Sequence, residues 1–87
     1  MINFKQLIEN ENVDDVLLFL APRTAYPSID RLYVRYKFGI IEKGLLYPTY
    51  VKLLKEGKFS EDEKGHTLKG PNWQAPKFVT EKKYGIE

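Results

Sequence analysis

Eighty-seven residues, 43% hydrophobic and 14% aromatic, suffice for one small domain with a genuine core and are too apolar for a disordered chain. The absence of cysteine excludes disulfide staples and thiolate metal sites. The net charge of +2 is unevenly spread: residues 1–30 carry two bases against five acids, residues 31–58 seven bases against two acids, and the remainder is balanced.

Asn3 is placed to cap a short first helix over Phe4–Glu9, with Phe4, Leu7 and Ile8 on one side. Asn10-Glu11-Asn12 interrupts it, and Asn12 caps a second helix over Val13–Ala21. Asp14 and Asp15 fall in its first turn, where acids favour the helix dipole, and Pro22 stops it. Val16-Leu17-Leu18-Phe19-Leu20 is apolar nearly all round, which places this helix at the centre of the core.

Arg23–Pro27 reads as a loop, and Ser28 as the cap of a helix running to Lys43. Ile29, Leu32, Tyr33, Tyr36 and Ile40 form its helical stripe. Residues 32–41 also alternate as a strand would, and Gly39 weakens a helix interior, but the cap, the stop at Gly44 and the length favour helix. After Gly44-Leu45-Leu46-Tyr47, Pro48 opens another helix over Pro48–Glu56, closed by Gly57. Tyr50, Val51, Leu53 and Leu54 are its buried stripe, with Lys52 and Lys55 opposite. Leu17, Phe19, Leu32, Tyr36, Leu53 and Leu54 are expected in the core.

Beyond Phe59 the chain turns polar and is punctuated by Gly65, Gly70, Pro71 and Pro76. His66–Lys69 and Lys77–Thr80 read as extended segments paired around a turn at Gly70-Pro71-Asn72, with residues 81–87 a loosely held tail tethered at most by Tyr84 and Ile86. The expected fold is mainly α within an α+β frame: three to four short helices with a small C-terminal β-hairpin or extended segment, one domain over 1–87.

Catalytic chemistry has little to work with. The lone His66 sits in a turn-rich, solvated segment, and Glu61-Asp62-Glu63 reads as a solvated loop. The chain holds no HExxH, no GxGxxG and no GxxxxGK[ST], so neither a metal cage nor a phosphate cradle is indicated, and no enzyme, metal or cofactor is expected. No basic segment followed by a long apolar run opens the chain, and Val16–Ala21 is too short to span a bilayer, so a cytoplasmic protein without membrane attachment is expected.

Six tyrosines and one tryptophan exceed what so small a core needs, and such residues are enriched at interface hot spots. Trp73, beside the rigid Gly70-Pro71 turn, reads either as a lid on the core or as the first candidate anchor of a partner. Tyr47, Tyr50, Lys52, Lys55, Arg31 and Arg35 complete the candidate partner-binding set. The expected function is a small non-catalytic module that covers a surface on another protein, as immunity proteins, antitoxins and phage-encoded inhibitors do; this is an inference from size and composition. DNA binding is the alternative. The 28–57 pair, with Gly44 at the turn and Thr49, Lys52 and Lys55 exposed on the second helix, resembles a helix-turn-helix, and Gly65–Lys69 would serve as a wing. In that case the basic 31–58 segment would contact nucleic acid.

Overall fold

The computed structural model describes residues 1–86 and is mainly helical with one small antiparallel sheet, as the sequence implies. The chain runs α1 (Phe4–Asn10), α2 (Val13–Leu20), α3 (Tyr26–Tyr36), α4 (Phe38–Glu42), α5 (Leu46–Lys55), β1 (Phe59–Glu61), β2 (Thr67–Lys69) and α6 (Lys77–Thr80).

Both asparagine caps are formed. The Asn3 side chain accepts from the Gln6 N–H at 3.1 Å and that of Asn12 from the Asp15 N–H at 2.8 Å. All of Val16–Leu20 is buried, so α2 is the centre of one hydrophobic cluster that gathers Leu7, Ile8, Ile29, Tyr33, Leu46, Leu53, Phe59 and Phe78 around it. Leu17, Phe19 and Leu53 are buried as expected, whereas Leu32, Tyr36 and Leu54 are only half-buried at the edge of that cluster.

The long helix expected over Ser28–Lys43 is two helices. It starts earlier, at Tyr26, because Pro27 fits the first turn and the Ala25 carbonyl accepts from Ser28 and Ile29; Ser28 is therefore inside the helix and does not cap it. It breaks at Lys37 (φ −154°, ψ 60°), among the poor helix formers Tyr36, Phe38 and Gly39. The segment 32–41 is nonetheless helical on both sides of the break, not a strand. Gly44 and Gly57 end α4 and α5 with positive φ (64° and 77°). Each end shows the paired bonds of a Schellman cap, such as Gly57 N–H to Leu54 O at 3.1 Å and Lys58 N–H to Leu53 O at 3.0 Å. Pro48 lies in the first turn of α5 but at its third residue, since Leu46 opens the helix.

The hairpin differs from expectation in its partner. β2 pairs with β1, in the register Phe59↔Lys69, Ser60↔Leu68 and Glu61↔Thr67. Its turn is closed by Asp62, whose carboxylate accepts from the N–H groups of Lys64 (2.9 Å) and His66 (2.8 Å). Lys77–Thr80, expected to be extended, is instead a one-turn helix after Pro76, and it drives Phe78 edge-on into Phe19 with ring centroids 5.6 Å apart. The 81–87 segment, expected to be a loosely held tail, is tethered at Tyr84 and Ile86, the former to the start of the chain; Glu87 lies outside the described residues. Asn3 N–H donates to Tyr84 O at 2.8 Å, the Tyr84 hydroxyl donates to the Glu11 carboxylate, and Ile86 is buried.

Candidate partner-binding surface

Trp73 is not an outward anchor. Asn72 folds its loop onto the end of α5: its N–H donates to Gly57 O and its side-chain amide to Glu56 O, each at 2.9 Å. The indole that follows is half-buried against the core, and its Nε1–H donates to Leu18 O at 2.8 Å. The Lys69 ammonium covers the ring, 4.2 Å from its centroid. Trp73 is thus a lid that joins the C-terminal segment to α2.

Tyr50 is also structural. Only 8% exposed, it stacks between Tyr47 and Phe59. Its hydroxyl lies 2.6 Å from the Thr67 hydroxyl and donates to Glu61 at 3.2 Å, meeting the last residue pair of the hairpin ladder. Burial raises its phenol above the ordinary range. Lys52 is tied to Asp14 of α2 by an ion pair, and that hydrogen bond holds its ammonium above its usual range.

The remaining candidates are open. Tyr47 is 62% exposed, with its ring edge-on to Tyr26, and it shares a shallow depression on α5 with Pro48, Val51, Lys52, Lys55 and Glu56. Arg35 is exposed, its guanidinium 5.6 Å from the Tyr36 ring centroid. Arg31 lines a different cavity, formed where α1, the end of α2 and α3 meet. The structure therefore does not assemble the seven candidates into one site: Trp73 and Tyr50 serve the fold, Arg31 lies apart, Arg35 sits at the end of α3, and Tyr47, Lys52 and Lys55 share one face.

What the sequence reasoning missed is α4. No residue of this helix, Phe-Gly-Ile-Ile-Glu, is fully buried, although Ile40 and Ile41 are half-buried against the core. Phe38 is 52% exposed, and Val34 and Leu45 on either side are 46% and 44% exposed. Arg35, Lys37 and Lys43 lie along the same stretch, and none forms an ion pair among the described residues. A signal was present. Val34, Phe38, Ile41 and Leu45 form a second apolar row at helical offsets 4, 7 and 11, beside the stripe assigned to the core.

Other chemistry finds little support in the geometry. Among the described residues no group of three or more His, Asp or Glu side chains could hold a metal ion. His66 Nδ1 lies 3.2 Å from an Asp62 carboxylate oxygen on an exposed turn. No helix of the described residues is long and apolar enough to cross a membrane. Of the residues that a helix-turn-helix would present, Thr49 donates its hydroxyl to Leu45 O at 2.7 Å and Lys52 is engaged by Asp14. Comparison with family models, with curated proteins and with solved structures found no match.

Proposed function

We propose that this protein is a small non-catalytic module that binds an acidic surface of another protein and acts by covering it, in the manner of an immunity protein, antitoxin or phage-encoded inhibitor. The observation that carries the proposal is the stretch around α4: Val34, Phe38 and Leu45 are all exposed, while only Ile40 and Ile41 pack partly against the core. Water-exposed apolar side chains at this density mark interaction surfaces. Arg35, Lys37 and Lys43, none of them in an ion pair among the described residues, favour an acidic partner and steer its approach. Tyr47, two residues beyond Leu45, extends the apolar surface toward Lys55 on α5.

DNA binding is favoured only by the position of the β1–β2 hairpin, directly after α5, where a wing would lie. Salt dependence separates the two. In a nuclease-treated lysate of the source cells, wild-type protein should capture a partner that Phe38→Glu does not, and the complex should survive a rise from low to high salt. A phosphate-dominated complex would weaken by orders of magnitude over the same change. Binding to generic duplex DNA that is lost on Lys52→Ala with Lys55→Ala, and indifferent to Phe38→Glu, would replace this proposal with the DNA one.

A further inference from the structure

Between α1 and α3 a cavity of about 460 Å³ opens to the surface, within the size range of small-molecule sites. Its accessible apolar walls are Ile2, Phe4 and Leu32, with the nearly buried Phe19 beneath them. Its polar lining residues are few and cationic or neutral: Arg23, Arg31, Thr24 and Ser28. No acidic residue lines it, and neither arginine forms an ion pair among the described residues. The Arg23 guanidinium lies over the Phe19 ring, 4.4 Å from its centroid, which fixes the cation beside the apolar walls. Ser28 and Arg31 are three residues apart on α3 and so share a face.

We infer that this cavity binds a single-tailed alkyl anion, its aliphatic tail against Phe4 and Leu32 and its carboxylate or phosphate head at the arginine-lined side, near Arg23 and Arg31. The complementarity is twofold. An apolar lining without acids rejects cations, and two guanidinium forks present the planar donor geometry that carboxylate and phosphate oxygens accept. A neutral alkyl chain would gain the apolar walls but leave both arginines unused. The site is separate from the α4 face and does not depend on a partner protein.

The test is a methyl-resolved NMR titration of the full chain with three probes below their aggregation limits: decanoate, decyl phosphate and decanol. At least one anion should produce saturable shifts at the Leu20 and Leu32 methyls and bind at least about tenfold more tightly than decanol, as hydrogen bonds to a charged head require. The tighter anion names the head group. Arg23→Gln with Arg31→Gln, both on the surface, should remove that preference while leaving shifts remote from the cavity unchanged. Equal binding of decanol, absence of saturable shifts, or shifts confined to Val34 and Leu45 would overturn the inference. The comparison of probes on wild-type protein decides it even if the double variant does not fold.

Discussion

The indole of Trp73 donates its hydrogen bond to the carbonyl of Leu18 at 2.8 Å, and that carbonyl is the one that Pro22 deprives of its helical partner. In an α-helix the Leu18 carbonyl accepts from the N–H four residues on, and proline has none. One residue that stops α2 thereby creates the acceptor that anchors a side chain 55 positions away. The lid is placed by backbone chemistry as much as by apolar contact.

Trp73→Phe should therefore destabilise the fold by about 1–3 kcal/mol, because it leaves a carbonyl in a part-buried site unpaired. Pro22→Ala supplies an N–H at the missing position. In a Pro22→Ala background the same Trp73→Phe change should cost measurably less, and urea unfolding of the four proteins gives the coupling directly. Additive costs would show that the hydrogen bond is not what holds the lid.

The contrast between α5 and α4 gives a second expectation. Leu53 is buried in the central cluster, and Leu53→Ala should cost about 2–5 kcal/mol. Phe38 is half-exposed on a helix with no fully buried residue, and Phe38→Ala should change stability by no more than about 0.5 kcal/mol. A large loss at Phe38 would place that side chain in the core of the isolated protein.

The hydroxyl of Tyr33 is buried without a hydrogen-bond partner among the described residues, and burial pushes its phenol well above the ordinary range. Removing an unpaired buried polar group stabilises a fold. Tyr33→Phe should match wild type or exceed it by up to about 1 kcal/mol in chemical denaturation. A clear loss would mean that the hydroxyl is satisfied.

The hairpin turn sets an acid limit. Hydrogen bonds from the His66 and Lys64 backbone hold the Asp62 carboxyl below its ordinary range. A depressed carboxyl contributes stability above the ordinary carboxylate pKa of about 4 and loses it as pH falls through the lower folded value. Amide exchange at Lys64 and His66 should be slower in wild type than in Asp62→Ala at neutral pH, and the gap should close below that range. A gap that persists in acid would assign the turn to other forces.

Much of the fold was legible because its signals are local. Asn3 and Asn12 cap the helices they precede, Gly44 and Gly57 end the helices before them, and Val16–Leu20 is too apolar to lie anywhere but the centre. The break at Lys37 was not legible, since the stripe through Ile29, Tyr33 and Ile40 continues across it and only the backbone at one residue departs. Pairing of β2 with β1 turned on Asp62 closing a local turn, where turn chemistry at Gly70-Pro71-Asn72 pointed to Lys77–Thr80. Trp73 was legible as an aromatic beside a rigid turn. Its direction was set by a carbonyl distant in sequence, which no local pattern reveals. The exposed Val34, Phe38 and Leu45 around α4 were hidden by assigning one stripe of the 28–43 stretch to the core and leaving the second unread.

The most direct measurement is site-specific photo-crosslinking. A benzophenone amino acid placed at Phe38, at Leu45, or at the exposed control position Glu63 is irradiated in nuclease-treated source lysate, and adducts are identified by mass spectrometry. If α4 is the docking face, positions 38 and 45 should yield the same protein adduct, rich in acidic residues at the crosslinked peptide, and position 63 none. Equal adducts at all three positions, or an adduct at 63 with none at 38 and 45, would contradict the account.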